Sequence, residues 1–62
     1  MDAKTLVNAL LKLDLTQAEI ARRCSVEQST ISRIAAGLHA DTKAKTLIAL
    51  MELYRTVKPE AA

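Results

Sequence analysis

Apolar side chains return at helical spacing in four stretches of this chain, with helix-starting or helix-stopping residues between them. In residues 2–13, Leu6, Leu10 and Leu13 line one face with Val7 beside them, while Lys4, Asn8 and Lys12 fall on the other side. Asp2 stands where a cap is needed. The tetrapeptide "TQAE" opens the next helix: the Thr16 hydroxyl can accept from the backbone N–H three residues on, while Glu19 reaches back to the N–H of Thr16. That helix is expected to run to about Arg23. A third stretch, 28–36, turns Ile31 and Ile34 to one side and stops at Gly37, the only glycine, which adopts the left-handed conformation at low cost. From a cap at Asp41, a last helix over about 42–57 carries Leu47, Leu50, Met51, Tyr54 and Val57, and Pro59 ends it. No strand pattern, repeat, low-complexity stretch or linker breaks this order. The expected fold class is therefore all-α, a single compact domain over 1–62 built from four to five helices.

The second and third stretches lie too close together for a wide loop. Two helices of about eight residues joined by a turn of roughly three to four form a helix-turn-helix, here over 17–37, whose second helix can project its polar face into a DNA major groove. Each steric requirement of that motif meets a suitable residue. Small Ala21 falls where the two helices come closest, Ile20 and Cys24 face inward, Val26 plugs the turn, and Ile31 and Ile34 anchor the second helix from beneath.

With 62 residues, the chain buries only about 60% of the surface it exposes when unfolded. A second subunit would add to a thin margin of stability. Half the residues are hydrophobic, but Tyr54 is the only aromatic, so the core is aliphatic and small. Nine Lys and Arg against seven Asp and Glu leave a formal charge of +2, which permits a nucleic-acid partner without establishing one. Cys24 is the only cysteine and His39 the only histidine, which excludes an intrachain disulfide and a multi-ligand Cys/His metal site within one chain. At its inward position Cys24 reads as a small hydrophobe. No apolar run approaches the roughly 20 residues a bilayer span needs, and the opening residues lack the form of a signal peptide. A soluble protein of a reducing cytoplasm is expected. The lone His and lone Cys have no convincing acid–base pair beside them, and so small a bundle has little room for a pocket. An enzyme, a cofactor, a metal and a small-molecule substrate are therefore not expected.

The segment "TQAEIARRCSVEQSTISRIAAG" resembles the helix-turn-helix of the lambdoid phage repressor and Cro family, within the wider class of Xre-like bacterial regulators. The resemblance includes the "TQ-E-A" opening, and the remaining helices agree in number and length. One departure is Ser25, where the family usually has Gly at a turn position of positive φ. A serine there costs about 1 kcal/mol. The alternative is that "SVEQ" forms a second capping box, which would tie Gln28 to the backbone and away from any other partner.

Gln28, Ser29, Ser32 and Arg33 lie on the exposed face of the third helix, opposite Ile31 and Ile34, and are short or forked hydrogen-bonding groups. Gln suits the N6/N7 edge of adenine and Arg the O6/N7 edge of guanine, each bidentate contact being worth about 1–3 kcal/mol of discrimination. The resemblance assigns Gln28 and Ser29 to base contacts and Arg33 to a base or a nearby phosphate. The plain alternative is a solvated helix face. Thr30 either touches a thymine methyl or simply tolerates the surface. Gln17, first in its helix, points donors out of a helix N-terminus, where the dipole favours an anion; the resemblance makes it a phosphate contact. It also places His39, Lys43 and Lys45 along the DNA backbone. Arg22 and Arg23 either join them or pair with Glu19 or Glu27.

A single helix in one groove touches few base pairs, so a homodimer reading half-sites about 34–36 Å apart is expected. In "KTLIALMELYRTV", if Leu47, Leu50, Met51 and Tyr54 turn inward, Ile48 and Leu53 are left partly out, and with Tyr54 they make the candidate dimer surface. A helix buried more deeply on both sides is the alternative. The expected function is sequence-specific binding of double-stranded operator DNA in a bacterial host cell, repressing transcription by excluding polymerase. The chain's brevity favours a Cro-like protein over a full repressor, the alternative being the DNA-binding domain of a longer repressor, and the continuous helical pattern favours the all-helical type. Rivals are an antitoxin-like or plasmid regulator that also binds a protein, and a helical protein-interaction module.

Overall fold

The computed structural model describes residues 2–38 and 42–58. Four helices follow in order, α1 (Ala3–Lys12), α2 (Gln17–Cys24), α3 (Gln28–Ala36) and α4 (Ala44–Val57), and no strand occurs among the described residues. Two of the starts are capped by side chains, as the sequence predicts. Asp2 Oδ1 accepts from the N–H of Thr5 at 2.8 Å. Thr16 Oγ1 accepts from the N–H of Glu19 at 3.1 Å, and Glu19 Oε1 accepts from the N–H of Thr16 at 2.9 Å, which closes the capping box. Helix α2 runs one residue past Arg23, to Cys24. Helix α4 begins at Ala44, later than 42, behind an N-terminal Lys43 that supplies no side-chain cap. Asp41, the expected cap, lies outside the described residues, as does Pro59.

Three successive helices stop in the same way. After α1, Asp14 takes φ 71°, and the N–H groups of Asp14 and Leu15 donate back to the carbonyls of Leu11 and Leu10. After α2, Ser25 takes φ 58°, with Ser25 and Val26 donating to Arg22 and Ala21; after α3, Gly37 takes φ 77°, with Gly37 and Leu38 donating to Ile34 and Arg33. Each is a left-handed residue closing a Schellman motif. The residue that follows is the hydrophobic partner of the motif: Leu15 and Val26 pack against the core, whereas Leu38 stays 76% exposed.

Leu6, Val7 and Leu10 of α1, Ile20 of α2, Ile31 and Ile34 of α3, and Leu50 of α4 are all but fully buried. Ala21 and Cys24 complete the contact of α2 with this cluster. Fully burying an aliphatic side chain of this kind is worth about 1.5–3 kcal/mol, so seven of them carry most of what holds so small a domain together. Leu13, expected inward, is only half-buried because it belongs to the turn that ends α1. Asn8, expected on the outer side, is instead a clip. Its Nδ2 donates to Lys4 O at 2.9 Å within α1 and to Ala35 O at 3.3 Å across to the last turn of α3.

The largest correction concerns α4. Leu53 is buried in the protomer's own core at 8% exposure, together with Leu50 and the small Thr46, and therefore leaves the candidate dimer surface. Met51, expected inward, is 50% exposed. The helix sits rotated so that Thr46, Leu50, Leu53 and Val57 form the stripe against α1 and α2, with Leu47 and Tyr54 flanking it half-buried. Residues 47, 50, 51 and 54 satisfy the same helical spacing, and α4 is apolar on more than one side. Only its two packing partners decide which stripe they cover.

Candidate nucleic-acid interface

Helix α3 is held from below and behind. Ile31 and Ile34 sink into the core, α1 and α2 both pack against it, and Asn8 ties its last turn to α1. Its outer face is left to Gln28, Ser29, Ser32 and Arg33, all exposed; Thr30 is half-buried at the edge. Among the described residues, none of these side chains donates or accepts a hydrogen bond within the chain. A helix face carrying an amide, two hydroxyls and a guanidinium, all unengaged, is competent to bond to an external array of donors and acceptors.

The choice between the two conformations of Ser25 is settled by the backbone. At φ 58° and ψ 42° Ser25 terminates α2 in the left-handed region and does not cap α3. The residue at the start of α3 is Glu27, whose side chain caps nothing. Gln28 is therefore not drawn back into a capping box, and its amide is free. The turn also brings Val26 against the core, so the two helices are locked at both ends of a three-residue connection.

Gln17 is half-buried at the first position of α2. The capping box uses the N–H groups of Thr16 and Glu19; those of Gln17 and Ala18 find no acceptor among the described residues and remain available at the helix end. The Glu19 carboxylate lies at the same end and is held below the usual carboxylate range, first by accepting from the Thr16 N–H and then by the charges of Arg22 and Arg23. Arg22, Arg23, Lys43 and Lys45 are all exposed. His39 lies outside the described residues.

Cys24 is buried, and desolvation pushes its thiol pKa up, so the thiol stays protonated and behaves as core. Two contributors to the site escape a reading of the sequence. Asn8 resembles any surface amide between Lys4 and Lys12 until α3 is placed beside it. Lys4 is the other: its side chain lies over Gly37, with Nζ 3.4 Å from where a β-carbon on that residue would stand, which sets a positive charge against the C-terminal end of α3. Among the described residues no helix is long and apolar enough to cross a membrane.

Protein P2 of Acyrthosiphon pisum secondary endosymbiont phage 1 is 43% identical to this chain over 49 residues. That alignment covers 79% of this chain, which in turn spans about half (52%) of the phage protein's length. No solved structure matches. The helix-turn-helix family model HTH_3 matches residues 6–61, an interval that takes in all of α2, α3 and α4 and most of α1. Motif, fold and match agree: the chain belongs to the helix-turn-helix family.

Proposed function

We propose that the protein is a sequence-specific, Cro-like repressor that occupies a palindromic operator as a homodimer, with α3 of each copy in the major groove. It acts in the cytoplasm of a bacterial host, as a single domain over 1–62, and blocks polymerase by occupancy. The observation that carries this is the unengaged polar face of α3, backed by a core in which α1 and α2 hold the helix. Gln28 and Ser29, at the leading end, and Ser32 and Arg33, one turn further on, contact base edges. Thr30, half-buried at the margin, meets a thymine methyl or simply tolerates the surface.

Phosphate contacts fix the register of this helix without reading sequence. Gln17 supplies them from the free donors at the start of α2. Arg22 and Arg23 lie at the other end of that helix, Lys43 and Lys45 at the start of α4, and His39 in the connection before it. Tyr54, half-buried, lies at the edge of the dimer surface, and Ile48 within it.

Selection of binding sites from a randomised duplex library, with Gln28→Ala in parallel, tests the assignment. Enrichment of an inverted repeat is expected, relaxed by Gln28→Ala at one symmetric pair of positions. Gln28→Ala should cost about 1–3 kcal/mol at those positions and little elsewhere. No enrichment by a folded protein would exclude α3 as a reader and leave a protein-binding role for the same face.

A further inference from the structure

Two carboxylates fall within the helix-turn-helix, Glu19 and Glu27. Glu19 has a task in the fold, accepting from the N–H of Thr16 to close the capping box. Glu27 has none. It stands immediately before the first turn of α3, where a side chain ordinarily caps the helix, yet its own caps nothing, and among the described residues it takes part in no side-chain hydrogen bond. Its extended backbone, at φ -75° and ψ 149°, takes it off the helical repeat that sends Ile31 and Ile34 inward, and its side chain is exposed beside Gln28. It is the only acid between Val26 and Gly37.

A free carboxylate at the leading edge of a face set against DNA repels phosphates, and an anion pressed into a groove without a donor is desolvated with no compensation. The base edges narrow the choice of donor, because a carboxylate only accepts. In the major groove guanine presents N7 and O6, and thymine O4, all of them acceptors, whereas cytosine presents its N4 amino group alone. Adenine offers N6 but sets the N7 acceptor beside it, against the second carboxylate oxygen. We propose that Glu27 is a further specificity-determining residue, its carboxylate accepting from the N4 amino group of one cytosine in each operator half-site and rejecting guanine and thymine at that position. The inference rests on operator reading by α3 as proposed above, and adds to it a residue whose contribution is discrimination and not affinity. At cytosine the hydrogen bond offsets the lost solvation; at the other bases the same charge is left unpaired, so the wrong duplexes are excluded by repulsion.

Site selection from the randomised duplex library, run on the parent, Glu27→Gln and Glu27→Asp, tests this, followed by binding to duplexes that carry each of the four base pairs at the position found. The parent should prefer cytosine there about tenfold over guanine or thymine. Glu27→Gln, an isostere without the charge that donates as well as accepts, should cut that preference to about twofold or less and bind the mismatched duplexes more tightly than the parent does. Glu27→Asp, which keeps the charge and shortens the reach by one methylene, should lose the preference without that gain. The relaxed positions should form one symmetric pair, distinct from the pair that Gln28→Ala relaxes. A Glu27→Gln profile identical to the parent's would overturn the assignment, as would relaxation that extends to the Gln28 positions, the sign of a displaced helix. A change in Tm alone would mark a carboxylate serving the helix dipole and would overturn it too. The two proposals fail distinguishably: a parent that enriches an inverted repeat with no cytosine under the control of Glu27 removes this assignment alone, and a parent that enriches nothing removes operator reading and the assignment with it.

Discussion

Asp14, Ser25 and Gly37 hold the same left-handed conformation at the ends of successive helices, yet only one of them is glycine. The strain of a β-carbon in this region is about 1–2 kcal/mol, partly returned by glycine's greater freedom when unfolded. Ser25→Gly should therefore stabilise the protein by about 0.5–1 kcal/mol, read as a rise of a few degrees in Tm. Gly37→Ala should do the reverse by about 1 kcal/mol, because the new methyl acquires the strain of the left-handed conformation while meeting Lys4 only at ordinary contact distance. Gly37 was legible in the sequence as a stop signal, since few other residues do that job cheaply. Ser25 was legible only as a choice between two conformations, because serine caps helices as readily as it ends them. Asp14 carries only the weak sign of its residue type, since aspartate enters this region more readily than most side chains.

Capping was readable at the level of the helix wherever donor and acceptor are three residues apart. Thr16→Ala should cost about 1 kcal/mol of stability by thermal or urea unfolding. Glu19 adds a pH dependence whose sign follows from its lowered pKa. Its contribution is complete above the ordinary glutamate value and disappears as the pH falls through the depressed folded value. Asp2, lowered by accepting from Thr5, behaves likewise. The variant Glu19→Gln, which keeps the reciprocal bond but cannot titrate, should lose less stability between neutral and acid pH than the parent. Helix α4 is where periodicity failed to choose. Its buried stripe includes Thr46, which a hydrophobic pattern discounts, and omits Met51, which it includes. Leu53→Ala should destabilise the monomer by about 2–5 kcal/mol, whereas Met51→Ala should stay within about 0.5 kcal/mol of it. Equal effects from the two would contradict the observed rotation of the helix.

For the molecule as a whole, a formal charge of +2 is too small to mark a DNA-binding protein, so distribution has to supply what total charge does not. If Gln17, Arg22, Arg23, Lys43 and Lys45 lie along the sugar–phosphate backbone, operator affinity should fall steeply with salt, by a log–log slope of about −0.9 for each phosphate neutralised. Lys43→Ala should then weaken all duplexes alike and shallow that slope by about one, while Arg33→Ala should alter sequence preference. A slope near zero would contradict backbone contact. Local chemistry alone determined the helix-turn-helix, its outer ends and its polar face: the Thr16 cap, Gly37 and the alternation of Ile31 and Ile34 with Gln28, Ser32 and Arg33 act within four or five residues of chain. Tertiary structure alone decided the rotation of α4, the inward position of Leu53 and the Asn8 clip. Each of these depends on which surfaces two or three helices offer one another, a relation between residues 27 positions apart for the Asn8 clip and farther apart still for α4 against α1, which no local spacing encodes.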